Sequence, residues 1–266
     1  VDLDLVTDLL PADTTGWEPG DTFLAGGTFL FSEPQPSVRR LLDLSAHGWP
    51  SLTITEQGLA IAATCTLTEL AEFRLPAEWI AGPLIAQCVD SLWGGFKIRA
   101  IATVGGNICC ALPAGPMTSL ASSLDGVAFL VGPDGSVRTL PVAELVVGPA
   151  RTALQPGELV RQVLLPAVSL RSSTAYRRIS LTPLGRSAAL VIGRRSPVDG
   201  SCMVTVTASV PRPLQLRFAE VPTPGEAIDA LGAARPTWYD DVHGLPEWRA
   251  AMTRRFVAEI VTELAA

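Results

Sequence analysis

The stretch Ala102-Thr103-Val104-Gly105-Gly106-Asn107-Ile108 constrains the fold more than any other part of the chain. Two adjacent glycines open backbone paths closed to other residues and let a ligand come close, because no Cβ stands in the way. Successive N–H groups in such a turn can form a concave anion-binding nest. Thr103 and Asn107 add hydrogen-bonding side chains beside it. A basic, aromatic run precedes it, Trp93-Gly94-Gly95-Phe96-Lys97-Ile98-Arg99. Near the N-terminus, Thr22-Phe23-Leu24-Ala25-Gly26-Gly27-Thr28 has the same form, a strand-like apolar run ending in Gly-Gly-Thr. One such loop is a weak signal. Two in one chain, both hydroxyl-bearing, predict a diphosphate held between two backbone nests.

The 266 residues suffice for one large or two smaller domains. With 48% apolar and 17% charged residues, the chain reads as ordered and globular. A net charge of −6 and a pI of about 5.0 argue against a nucleic-acid surface, which would carry a basic stripe. No apolar run reaches the roughly 20 residues of a membrane span. Val1-Asp2-Leu3-Asp4 has no basic leader character, so no signal peptide is expected and the location reads as cytoplasmic. The five cysteines (Cys65, Cys88, Cys109, Cys110 and Cys202) lack C-x-x-C spacing and read as reduced thiols. With only His47 and His243 beside them, no metal site is expected.

The periodicities predict an α+β chain. Leu3, Val6, Leu9 and Leu10 stand at helical spacing up to Pro11. Residues 23–25 read as a strand, and 38–44 as a short helix or a strand. Residues 51–55 and 59–63 flank Glu56-Gln57-Gly58 as a hairpin. Thr66 and Glu69 form a capping box that starts a helix to about Phe73, and a second helix spans about 80–93. A helix over 116–124 lies under the second glycine stretch. Residues 127–131 and 136–140 form a hairpin about Gly132-Pro133-Asp134-Gly135, and 159–165 is a strand. After a division at about 167–172 come four strands (174–180, 188–194, 203–209, 214–218) and helices over 224–231 and 246–264. Trp248, Met252, Phe256 and Ile260 recur every fourth residue in the last helix, a stripe for packing on a sheet.

The two loops, their order and their surroundings resemble the FAD-binding medium subunit of the molybdenum hydroxylases, the family of xanthine dehydrogenase and aerobic carbon monoxide dehydrogenase. Ala25-Gly26-Gly27-Thr28 is similar to that family's first flavin loop, and residues 98–108 to its second. Gly157-Glu158-Leu159-Val160 and Thr174-Ala175-Tyr176-Arg177-Arg178 also stand where its pattern expects them. The resemblance covers nearly the whole chain. It implies a PCMH-type FAD-binding domain over 1–168, in subdomains of about 1–55 and 56–168. A small C-terminal α+β domain over 169–266 would follow, an antiparallel sheet with helices on one face. It implies an oxidoreductase component with FAD as cofactor and two partners, a molybdopterin-binding large subunit and a [2Fe–2S] small subunit. Electrons would pass from the clusters through FAD to an external acceptor such as NAD or a quinone. Carried over residue by residue, Phe23, Leu24, Ala25, Gly26, Gly27, Thr28, Phe29 and Leu30 line the diphosphate together with Thr103, Val104, Gly105, Gly106 and Asn107. Trp93 is the aromatic near the cofactor, Val160 contacts the adenine end or the ring, and Arg177 holds the place of a cofactor-contacting basic residue. No residue is assigned to catalysis or to a metal.

The chain departs from the family pattern at three places. Phe29 follows Thr28 where an Asp or Ser is common, and Pro116 replaces an Asp after the second loop. Leu181-Thr182-Pro183-Leu184-Gly185 replaces a more acidic stretch. Each lost hydrogen bond costs about 0.5–1.5 kcal/mol. Two alternatives therefore stand beside the main reading: a degenerate scaffold that keeps the fold without flavin, and a self-contained flavin oxidoreductase, against which the lack of an acid–base constellation speaks. Cys109-Cys110 reads as small buried thiols behind the loop, because adjacent cysteines bond only with strain. Lys97 and Arg99 read as surface charges, and Arg177 equally as a carboxylate's partner. Asp240, Asp241 and His243 read as solvated or capping groups.

Overall fold

The structure is a computed structural model that describes residues 3–12, 14–92 and 94–266, so Trp93 lies outside the described residues. Strands β1 (Asp8–Pro11), β2 (Asp21–Leu24) and β3 (Arg40–Asp43) form a sheet of order β1-β3-β2, with both outer strands parallel to β3. β1 stands where apolar spacing predicted a helix. A pattern of nine residues cannot sustain a helix alone, and β3 supplies a partner. Thr7 N–H donates to Arg39 O at 2.8 Å, and Ala12 N–H to Asp43 O at 2.9 Å. Asp21, its side chain 1% exposed, accepts two bonds from Arg40 at 2.6 and 2.7 Å and so fixes β2 beside β3.

β4 (Leu52–Thr55) and β5 (Gly58–Ala62) are the first predicted hairpin. β4 pairs with β5, so the second sheet begins at Leu52. The capping box of Thr66 and Glu69 makes both reciprocal bonds and starts α1 (Leu67–Glu72). Next come α2 (Gly82–Asp90), α3 (Phe96–Arg99), α4 (Val104–Cys109) and α5 (Pro116–Ser123). The second hairpin, β6 (Val127–Val131) and β7 (Val137–Pro141), leads through α6 (Val142–Leu145) to a ribbon of β8 (Val146–Gly148) and β9 (Arg151–Thr152). β10 (Leu159–Pro166) then closes an antiparallel sheet of order β4-β5-β10-β6-β7 at its centre.

After α7 (Ala167–Leu170), β11 (Ser173–Ile179), β12 (Ala189–Arg195), β13 (Cys202–Thr207) and β14 (Leu214–Phe218) form an antiparallel meander. α8 (Pro224–Ala233) and α9 (Pro246–Ala265) follow it. Alternation along the strands gives this sheet two buried faces. Val191, Val204 and Val206 meet Phe256, Val257 and Ile260 of α9. Leu190 and Ile192 join the core beneath the five-stranded sheet. The face of α9 is the predicted one only in part: Phe256 and Ile260 of the stripe are buried against the sheet. Its fully buried side includes Arg249 and Thr253, while Trp248 and Met252 sit half-buried at the flank. A period of four drifts away from the true 3.6, and hydrogen bonds carry polar residues into the contact.

Candidate functional site

A largely apolar cleft of about 1600 Å³ opens between the first sheet, the α1–α4 region and the β11–β12 hairpin. It exceeds the roughly 300–1,000 Å³ of an ordinary small-molecule pocket. Both glycine stretches wall it. Phe23 through Leu30, Thr103, Gly105, Gly106, Asn107 and Val160 line it; Val104, 2% exposed, is turned into the core.

The first stretch leaves β2 and packs directly on the backbone before the second. A Cβ on Gly26 would lie 1.9 Å from Ile101 O, so only glycine allows the approach. Gly27 has φ +67° and lies under the Phe31 ring, 2.4 Å from where its own Cβ would stand. Phe31 N–H donates back to Gly27 O at 2.9 Å, closing the turn. Among the described residues, the N–H groups of Gly26, Gly27 and Thr28 donate to no protein acceptor, which leaves them for a ligand.

The second stretch is built differently from the expected nest. Thr103 caps α4, its Oγ1 accepting from Gly106 N–H at 3.1 Å. Val104 N–H donates to Cys65 O and Gly105 N–H to Ala63 O, both at 2.9 Å, and Asn107 N–H donates to Thr103 O at 2.9 Å. All four donors are thus engaged within the protein. Gly105 is required by packing, since a Cβ there would lie 2.4 Å from Ala63 Cβ. What this stretch offers the cleft is side chains. Thr103 Oγ1–H can donate, and so can the Asn107 amide. Asn107 Oδ1 meanwhile accepts from Met117 N–H at 3.0 Å and so secures the start of α5. Pro116 occupies the first position of α5, where its missing N–H is no loss.

The basic group of the β11 strand is shifted by one residue. Strand alternation sends Arg177 to the α9 side, where it pairs with Glu259 at 2.9 Å and Glu263 at 2.8 Å. Arg178 faces the cleft. Its Nε donates to Ser187 Oγ at 2.7 Å, and its Nη2 holds Gly185 O. Arg99 also lines the cleft, but it pairs with Asp90 at 2.5 Å and is not simply solvated. Cys109 and Cys110 differ from the buried thiols expected. Both are free, both line the cleft, and Cys109 is exposed. Asp241 has the capping role, its Oδ1 accepting from His243 N–H at 2.8 Å, and it also pairs with Arg249.

Glu158 was legible only as part of a motif, and its role is structural. It lines the cleft with its side chain 9% exposed and takes two bonds from Arg138, each 2.7 Å. Those bonds, helped by Gln155 N–H, hold its carboxyl below the usual range against burial. A depressed folded-state pKa stabilises the fold above the ordinary carboxylate range, and that contribution fades as pH falls through the folded value. The melting temperature should therefore stay level near neutrality and drop below about pH 4. Glu158→Gln should lower the neutral plateau and flatten that acid limb; an unchanged limb in thermal melts across pH would refute the assignment.

Residues 4–168 match the family described as the FAD binding domain in molybdopterin dehydrogenase. A xanthine dehydrogenase of Oryza sativa subsp. japonica is 28% identical over 122 residues, 44% of this chain and 9% of that protein. The carbon monoxide dehydrogenase medium chain of Afipia carboxidovorans is 28% identical over 193 residues, 70% of this chain and 64% of that one. The chain thus spans less than two thirds of the length of these curated relatives. Among solved structures, quinoline 2-oxidoreductase from Pseudomonas putida 86 superposes with a TM-score of 0.82 at 17% identity, over 100% of this chain and 98% of the other. The CO dehydrogenase of Oligotropha carboxidovorans gives 0.82 at 21% identity, over 97% and 96%. At these identities the two superpositions show a shared fold.

Proposed function

Because residues 4–168 make this chain a member of the FAD-binding domain family of molybdopterin dehydrogenases, we propose that it is the flavin-holding subunit of a heteromeric molybdenum hydroxylase. A partner with [2Fe–2S] clusters would deliver electrons drawn from substrate at a molybdopterin-binding partner. An external acceptor, NAD or a quinone, would remove them. No helix among the described residues is long and apolar enough to cross a membrane, and the proposed location is the cytoplasm.

One observation carries the reading: Gly26 lets the first loop touch the backbone leading into the second, so a single cleft is walled by both. The residues fit FAD. The N–H groups of Gly26, Gly27 and Thr28 suit an anionic diphosphate, with Thr103 and Asn107 able to donate from the second loop. Leu24, Leu30 and Val160 supply apolar wall for the rings and exclude water. Arg178, in place of Arg177, is the cation nearest the role that the resemblance assigned. Bound FAD would supply the redox chemistry, accepting electrons and releasing them to the acceptor.

The scaffold reading is the weaker one, because two of the departures, Phe29 and Pro116, leave the donors of the cleft in place. Phe29 contributes apolar wall, and Pro116 is held by Asn107 through its neighbour Met117. A visible absorption spectrum of the purified chain, before and after FAD addition and removal of the excess, separates the two. Flavin bands should persist. A chain that stays colourless, alone and with its partner subunits, would favour the scaffold. Asn107→Ala should weaken FAD binding about tenfold, a loss of about 1.4 kcal/mol, by removing amide donors. It should also lower stability by about 1 kcal/mol through the exposed start of α5. Flavin titration and thermal melts read the two effects separately.

A further inference from the structure

Beside the apolar contact of Leu190 and Ile192, one strip of the joint between the C-terminal sheet and the rest of the chain is polar. α5 brings Thr118, Ser119 and Ser122 to it, all 2% exposed or less. The sheet answers with Thr205 and Thr207 of β13 and with Gln215 of β14, which stands opposite Thr205. Ser119 and Thr207 share a hydrogen bond at 2.7 Å, and Gln215 Nε2 donates to Ser122 O at 2.6 Å. Thr118 Oγ1, Ser122 Oγ and Thr205 Oγ1 remain buried without a protein partner. Native interiors hold few such groups, and water is their usual partner.

One residue beyond Thr207, at Ala208, the joint holds a partly open pocket of about 30 Å³. Its walls include Leu112, Arg186, Ser187, Tyr239, Asp241 and Arg249. Roughly 10–15 Å³ holds one water, so there is room for about two. Arg249 is 1% exposed and donates to Gly244 O, Ala188 O, Ala208 O and Asp241. Arg249 thus keeps one N–H beyond those four bonds, beside the Asp241 carboxylate at the same small space. A ligand that both donates and accepts suits it; an anion would meet the Asp241 oxygens.

We propose that ordered water occupies this joint, about two molecules in the Arg249–Asp241 cavity and others on the three unpartnered hydroxyls. Arg186 and Leu112 wall both this cavity and the large cleft, so the water also fixes one wall of the cleft. The proposal does not depend on flavin, and its tests need none. A dry, unpartnered hydroxyl destabilises a fold, and its replacement by an isosteric methyl is a gain; a hydrated one is not improved that way. Thr205→Val and, separately, Ser122→Ala should therefore melt at or below the wild-type temperature. A melting temperature raised by either variant would overturn hydration of the seam. A crystal structure at a resolution that shows ordered solvent should place water against Asp241 and Arg249. A dry cavity, or anomalous density for bromide there after a bromide soak, would overturn that part.

Discussion

Gly26→Ala should leave a folded protein that no longer retains flavin. The added Cβ would lie 1.9 Å from Ile101 O, where ordinary contact begins at 3.4 Å, so the two loops must separate by about 1.5 Å. The obstacle is backbone, which cannot swing aside like a side chain. Overpacking of this kind costs about 1–3 kcal/mol of stability, which a chain of this size can absorb. The larger effect falls on the cleft. Free N–H groups on one loop and side-chain donors on the other must reach the same diphosphate, and hydrogen bonds weaken steeply when misaligned. We expect FAD affinity to fall more than 100-fold, or about 2.7 kcal/mol. Gly16→Ala is the matched control, because nothing lies within 4 Å of its added Cβ. Flavin titration with a parallel far-UV spectrum reads both variants. Undiminished retention by Gly26→Ala would sink the two-loop site.

Arg249→Leu should produce the largest loss of stability. Arg249 is buried and draws Gly244 O, Ala188 O and Ala208 O to within 2.6–2.8 Å, besides pairing with Asp241. It therefore ties the ends of β12 and β13 to the connection before α9. Its removal leaves a carboxylate and three carbonyls without the donor they share. Breaking a buried pair on one side costs about 3–5 kcal/mol, equivalent to roughly 6–20 °C in melting temperature. Arg249→Lys should recover only part of the loss, since an ammonium cannot reproduce the planar fork. A melting temperature within 2 °C of wild type for Arg249→Leu would show that the network carries little.

Much of the fold was readable in the chain because local signals and tertiary demands agree. Gly58, with φ +145°, turns the first hairpin, and the capping box of Thr66 and Glu69 forms as written. The run 188–192 has no polar alternation, as befits a strand covered on both sides, whereas 203–209 alternates Val with Thr and is buried on both faces all the same. Where local signals were short or ambiguous, a distant partner decided. β1 became a strand because β3 was there to bond it. Arg249 and Thr253 read as polar positions outside the apolar stripe, yet they are buried because carbonyls and Ser209 wait for them.

The site divides in the same way. Glycines at 26, 27, 105 and 106, flanked by hydroxyl and amide groups, can be read along the chain, and with them a cleft that admits close approach. What each glycine is for depends on packing. Gly26 gives way to the Ile101 carbonyl and Gly105 to Ala63, while the N–H groups of the second stretch are taken up by the fold. The choice between Arg177 and Arg178 was also tertiary. Adjacent residues on a strand point to opposite faces, and which face meets the cleft depends on which layer covers the other. Here α9 covers the face of Arg177, with Glu259 and Glu263 in wait. Spacing along a chain sets which residues share a face; packing between elements sets what that face meets.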